Sequence, residues 1–117
     1  MNHVKKGRKF NRLRGDRISF LRNLANDVIR AEKIETTEAR AKEVRSIVEK
    51  LVTSAKKQDL ASRRLLAGRV QNQRIVKKLC DDLAKRYVDR KGGYLRIVKL
   101  QKVRKRDGVR LSRIEFV

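Results

Sequence analysis

Few side chains in this 117-residue sequence are of the types that make and break bonds, and none has the company such chemistry requires. His3 is the sole histidine, so a His-based nucleophile pair, a two-imidazole metal site or a proton relay lacks its second member. It stands near Lys5 and Lys6, where it is either a solvated terminal residue or a contact to phosphate or base. Cys80 is the sole cysteine, which excludes an intramolecular disulfide, leaves no Cys/His cluster for zinc and fits a reducing compartment. It falls on the apolar side of a helical pattern, where a small buried hydrophobe is expected and a reactive thiol is not. Asp81 and Asp82 are adjacent, so on a helix their carboxylates diverge instead of closing on one metal or substrate. Gly92-Gly93 alone does not make a phosphate loop, and no Walker, dinucleotide-binding or nucleophile-elbow pattern occurs. The expectation is a protein that is not an enzyme and uses no cofactor, metal or small-molecule substrate.

The chemistry that the residues do support is ionic. Thirty-four Lys and Arg face 13 Asp and Glu, a formal net charge of +21. A compact chain with that much charge of one sign repels itself, and a polyanion relieves the repulsion. Nucleic acid is the leading partner. The basic residues cluster where apolar residues are thinnest: an N-terminal arm (His3, Lys5, Lys6, Arg8, Lys9, Arg12, Arg14), the stretch 86–96 (Arg90, Lys91, Arg96) and the stretch 99–113 (Lys102, Arg104, Lys105, Arg106). Arg17 and Arg22 on the first helix extend the arm. Tyr94, between Lys91 and Arg96, either stacks on a base or packs against a sheet. With three Phe, two Tyr and no Trp, stacking platforms are scarce, so phosphate contact should dominate over base contact. Lys56-Lys57 and most helix-surface lysines read as an ordinary solvated face.

These groups need a scaffold. Hydrophobic residues make up 39% of the chain, concentrated between about Ile18 and Val103, enough for one modest core. Residues 1–15 cannot bury themselves and read as a basic extension, solvated in isolation and ordered by phosphates; residues 16–117 read as one domain. Asp16 is expected to cap a first helix with Ile18, Leu21, Leu24, Ala25, Val28 and Ile29 at helical spacing. Lys33–Thr36 suits an extended connection or a short strand. Thr36 or Thr37 can cap a second helix with an unbroken stripe from Val44 to Ala55. Asp59 can cap a shorter third helix carrying Leu60, Leu65 and Leu66. Asn72 caps a fourth with Val76, Leu79, Cys80, Leu83 and Tyr87 on one face, ended by Gly92-Gly93. Tyr94–Val103 and Val109–Val117, joined across Asp107-Gly108, predict a C-terminal hairpin whose inward faces the pattern does not assign. The fold class is α+β in two layers, about four helices on a small, mainly antiparallel sheet that the strand near Ile34 can join.

No run of 18 apolar residues offers a membrane span and no apolar stretch follows the basic start as in a signal peptide, so a soluble, unsecreted protein is expected. An organelle transit peptide fits poorly, since residues 1–15 lack serine. A peripheral membrane protein would need bulky aromatics on an apolar helix face, and the first helix offers only Phe20, off its stripe. A small DNA-binding or nucleoid-associated protein is the main alternative, but no helix shows a compact recognition face, and basic extensions suit an irregular RNA surface.

The ordered segments Gly7-Arg8-Lys9-Phe10-Asn11-Arg12, Arg22-Asn23-Leu24-Ala25, Ile34-Glu35-Thr36-Thr37-Glu38-Ala39-Arg40-Ala41-Lys42-Glu43, Asp89-Arg90-Lys91-Gly92-Gly93-Tyr94 and Ile114-Glu115-Phe116-Val117, with Met1 and His3, resemble the family of the seventeenth protein of the bacterial large ribosomal subunit. The resemblance covers nearly the whole chain. It departs at Asn2, Phe10 and Leu95, where the family commonly carries Arg, Leu and Thr. It implies a two-layer domain that binds large-subunit ribosomal RNA near the rim of the polypeptide exit tunnel, beside other ribosomal proteins, in the cytoplasm.

Overall fold

In a computed structural model, which describes residues 7–117, the chain runs α1 (Arg14–Ala31), β1 (Lys33–Thr37), α2 (Glu38–Ala55), α3 (Leu60–Val70), α4 (Gln73–Lys78), a π-helical segment (Leu79–Leu83), α5 (Ala84–Arg86), β2 (Leu95–Val103) and β3 (Arg110–Phe116). The last three helical pieces join end to end with right-handed helical dihedrals at the junctions, so they form the expected fourth helix. The strands make one antiparallel sheet in the order β1-β3-β2. The short strand at Ile34 does join the C-terminal hairpin, and the architecture is α+β.

Three of the four helix starts are set by side-chain caps at the expected residues. Thr37 accepts from the Arg40 N–H at 3.3 Å, Asp59 from the Ser62 N–H at 2.7 Å, and Asn72 from the Arg74 and Ile75 N–H groups. The Ser62 contacts hold the Asp59 carboxyl below its ordinary range. Asp16 does not cap: α1 starts at Arg14 after Leu13, which offers no side-chain acceptor, and Asp16 sits in the first turn near the positive end of the helix dipole. Ile18, expected on the buried stripe, is 48% exposed, because the core begins only at Ala25 of this helix. The fourth helix ends at Arg86, before the glycine pair, and a turn follows.

α2 packs against α1, α3, the π segment, α5 and all three strands. Its buried residues Ala41, Val44, Val48, Leu51, Val52 and Ala55 follow helical spacing, and burial of each larger one contributes on the order of 1.5–3 kcal/mol. The strand register supplies the faces that the sequence left unassigned. Ile34, Ile114 and Ile97 form one row across the sheet and Thr36, Ser112 and Lys99 the next, toward the helices. Arg113 and Glu115 alternate outward with Arg96, where Arg96 Nε meets Glu115 Oε1 at 2.9 Å and holds that carboxyl below its usual range. Lys99 is the one charge on the inner row; its ammonium reaches Glu38 at 3.7 Å. Cys80 is buried in the core, and burial pushes its thiol up, away from reactive thiolate.

Two residues in left-handed backbone tie separate elements together. Gln58 (φ 59°) closes α2 by donating Nε2 to the Ala55 carbonyl at 3.2 Å and to the Cys80 carbonyl, within the π segment, at 2.8 Å. Glu32 (φ 64°) ends α1; its carbonyl accepts the Phe116 N–H at 3.1 Å, and its carboxylate binds Arg86 and, at 3.3 Å, Lys78. Contacts from Arg86 and then Lys78 outweigh desolvation and lower the Glu32 pKa, while Glu32 raises that of Arg86.

Replacement Gln58→Ala keeps the left-handed backbone cost but removes both hydrogen bonds, and should lower stability by about 1–3 kcal/mol, read as a shift in urea midpoint with unchanged slope. For Glu32→Gln the sign follows from a carboxyl whose folded pKa lies below its unfolded value. Its stabilisation is present above the ordinary carboxyl value of 4.5 and fades as pH falls through the folded pKa. The variant should therefore unfold more easily than the parent at pH 7, by less than about 1 kcal/mol because the pair is partly exposed, and the difference should shrink below pH 4.5.

Candidate nucleic-acid interface

The described part of the arm is folded back onto the helices. Phe10 and Asn11 turn through left-handed backbone (φ 53° and 54°), and the Arg12 N–H closes the turn on the Lys9 carbonyl at 3.1 Å. Phe10 meets Phe20 of α1 edge-on at 5.5 Å between ring centres. The Arg12 guanidinium lies 3.9 Å above the same Phe20 ring, with the Arg40 guanidinium 5.1 Å from it. Arg8 binds Glu43 at 2.9 Å. An aromatic pair and two guanidinium groups thus anchor a segment that its composition marks as unable to bury itself.

The anchored arm walls a cleft at the N-terminal end of α2. Arg8 and Phe10 line one side, Glu38, Arg40 and Lys42 the floor, and Arg104 and Arg110 of the hairpin the other side. Glu38 is the one carboxylate there, bonded to Lys42 at 3.0 Å, whose ammonium holds its pKa down. The hairpin tip turns through Gly108 (φ 66°), whose N–H donates to the Arg104 carbonyl at 2.9 Å. Arg104 is clasped by Asp107, which raises the guanidinium and lowers the carboxyl. Lys105 and Arg106 stand exposed at the turn with no carboxylate in reach among the described residues.

From this cleft the solvent stripe of α2 runs through Lys42, Ser46, Glu49, Lys50 and Thr53, with Arg45 at its border. Beyond it, Arg45, Lys50, Arg69 and Lys91 surround a second depression. Lys50 and Arg69 also border a third, shared with Arg22 of α1. The 18 residues of α2 span about 27 Å, so one face of that length joins the arm and hairpin tip to the loop at Lys91.

Of the residues singled out by sequence, Arg8 and Arg104 line the cleft, Lys9 and Arg12 flank it on the arm and Lys105 and Arg106 on the hairpin turn, while Arg22 and Lys91 border the other depressions. Arg14 and Arg17 lie in the first turn of α1. Lys102 is tied to Glu35 at 3.1 Å and Arg96 to Glu115, both on the outer face of the sheet. Arg90 folds onto the Gly92 carbonyl at 3.2 Å. His3, Lys5 and Lys6 lie outside the described residues. Tyr94 is only 1% exposed: its ring packs on Tyr87 at 5.3 Å and its hydroxyl meets Lys56 at 3.1 Å and Thr53 at 3.3 Å. Of its two readings, packing is the one seen, and the ring is not free to stack on a base. Sequence reasoning passed over Arg40, Arg45, Lys50, Arg69 and Arg110; for the first three the signal was cations on the polar side of α2, which on most helices is only solvated surface, while Arg69 of α3 and Arg110 of β3 carried none. Among the described residues no group of three or more metal-ligating side chains converges, and no helix is long and apolar enough to cross a membrane.

The family model described as Ribosomal protein L17 matches residues 20–117. The large ribosomal subunit protein bL17 of Thermus thermophilus is 43% identical over 117 residues, covering 100% of this chain and 99% of that protein. The bL17 proteins of Caldanaerobacter subterraneus (50% identical; 94% of this chain, 97% of that one) and Staphylococcus aureus (48%; 94% and 98%) are similar over nearly their whole lengths. A family match over most of the chain, with relatives this similar from end to end, means that the chain belongs to the ribosomal protein L17 family.

Proposed function

We propose that this chain is a structural constituent of the bacterial large ribosomal subunit, without catalysis, and that it binds and stabilises large-subunit ribosomal RNA through the cationic face along α2. The names of its relatives support the first part. One observation carries the second: the arm, the hairpin tip and the loop at Lys91, far apart in sequence, meet along one helix in a chain of net charge +21. Placement near the exit-tunnel rim, beside neighbouring ribosomal proteins, rests on the family resemblance alone.

The mechanism is phosphate neutralisation at a fixed shape. Lysine and arginine side chains displace condensed counterions from RNA, and their release drives binding. Carboxylates at the cleft keep several of the cations in place. Exposed pairs such as Arg8–Glu43 are worth at most about 1 kcal/mol, so a phosphate can take the cation over at little cost. RNA presents such phosphates close together at helix junctions, where shape more than sequence is read. The pre-folded arm meets them with part of its ordering entropy already lost.

Two variants separate charge from placement. In Lys9→Ala/Lys105→Ala/Arg106→Ala, loss of about three phosphate contacts should flatten the plot of log affinity against log salt by about 2–3 for a large-subunit RNA fragment between about 50 and 200 mM salt. An unchanged slope would remove the arm and hairpin tip from the interface. Phe10→Ala changes no charge, so the slope should stay while affinity falls about fivefold, equivalent to about 1 kcal/mol for the lost aromatic pair. Matched duplex DNA in the same series decides the reading as a whole: equal affinity for DNA and every RNA fragment would point to a nucleoid-type polycation instead.

A further inference from the structure

One depression on the cationic face differs from the others. Where α1, α2 and α3 meet, a hollow of about 180 Å³ is walled by Ala25, Ile47, Leu51 and Val70. Its rim carries Arg22, Lys50 and Arg69, and no carboxylate lines it. Arg22 is steadied by a neutral partner, Gln71 Oε1 at 2.8 Å, at the left-handed residue that ends α3. In the wall, Asn26 gives its Nδ2 to the Val70 carbonyl at 3.2 Å, which leaves its Oδ1 buried and without a partner among the described residues. A buried acceptor left unpaired costs stability.

These features constrain the occupant. Apolar walls ask for a flat or aliphatic group, and the volume admits one such group and excludes a duplex. Three cations with no carboxylate among them ask for negative charge attached to that group. A protein side chain brings apolar surface without the charge; a nucleotide carries an apolar ring face and its phosphates in one unit. Tyr94 and Tyr87 are taken up by packing, Tyr94 on Tyr87 and Tyr87 on Phe116, and Phe10, at the cleft, meets Phe20 edge-on. Guanidinium planes at an apolar wall are a further means of stacking a base pulled out of an RNA helix or loop. We propose that this hollow receives one extruded nucleotide, its base against the wall of Ile47 and Leu51 and its flanking phosphates on Arg22, Lys50 and Arg69. The inference rests on the RNA-binding reading above and assigns that face a base contact.

The test is a coupling experiment with the full-length protein and the large-subunit RNA fragment that it holds most tightly. A set of fragments, each with one abasic nucleotide, is titrated with the parent and with Ile47→Phe, which fills the hollow from a half-buried wall without changing charge. One abasic position should cost the parent about tenfold in affinity. The same position should cost Ile47→Phe little, while the variant binds the intact fragment about tenfold more weakly with the same salt slope. Lys50→Gln/Arg69→Gln, both at exposed positions, repeats the cycle should the first variant not fold, and should shrink the same abasic penalty. Selective binding of the fragment with no abasic position coupled to either variant would overturn the hollow while leaving the RNA reading intact. So would an Ile47→Phe protein that binds RNA normally but loses a neighbouring protein in the assembled subunit, since a side chain would then be the occupant. Absence of selective binding to any fragment would instead strike the RNA reading itself.

Discussion

Val44, Val48 and Val52 of α2 are completely dry because two layers close on the same helix, the strands on one side and α1, α3 and the π segment on the other. A chain this basic has little apolar surface to spend, and most of it converges on this one stripe. The consequence reaches the opposite side of the helix. Once the stripe is fixed, helical geometry fixes the directions of Lys42, Arg45 and Lys50, and the sequence neighbours of α2 are fixed with it. Thr37 ends β1 and caps α2, so the sheet lies at the helix's entry; Gln58 closes α2 and grips the π segment, so the fourth helix lies at its exit. The cationic face is therefore a by-product of core packing, and a substitution that shifts α2 within its core moves charges at both ends together.

The acidic residues have a role that their number conceals. Thirteen carboxylates cannot neutralise 34 cations, but they stand where they can aim them. Glu43 draws Arg8 to α2, Asp107 folds Arg104 across the hairpin tip, and Glu32 draws Arg86 and Lys78 together beneath α1. The lowered pKa values of Asp107 and Glu32 say that each stays ionised to a lower pH than an ordinary carboxyl, so the aiming persists at neutral pH. Exposed pairs of this strength are weak enough to open when a phosphate arrives, whereas the Glu32 cluster, which also caps α1, belongs to the fold.

Much of the scaffold was legible because its signals are local. Thr37, Asp59 and Asn72 announce helix starts within three residues of the groups they bond, and the apolar stripe of α2 needs only helical periodicity. Local signals also misled: Asp16 has the right chemistry for a cap, but the helix had already begun at Arg14 with no side-chain cap at all. What stayed hidden depends on partners distant in sequence. Phe10 looks like an isolated hydrophobe in a basic tail until Phe20 and Arg40 are brought beside it, and Tyr94 looks available for stacking until Thr53 and Tyr87 enclose it. The inward faces of the hairpin became clear only from its register with β1, since Lys99 on the inner row blurs the alternation. The hollow between α1, α2 and α3 takes one or two residues from each of several turns, and no spacing along the chain encodes it.

Phosphate neutralisation has a weakness that bears on how the face works. It supplies affinity along any track of charge but reads no sequence, so along a regular run of phosphates a protein held by lysine and arginine alone can slide at little cost. Shape complementarity at the cleft limits rotation, since the arm and hairpin tip present two walls to whatever lies between them. Translation along α2 is a separate freedom. A single nucleotide seated in the hollow near Lys50 and Arg69 would stop it, because the cleft and the hollow lie at separated points of one rigid helix. Two attachments on a helix fix both position and direction, and they ask of the RNA only a spacing between a phosphate cluster and one unstacked base.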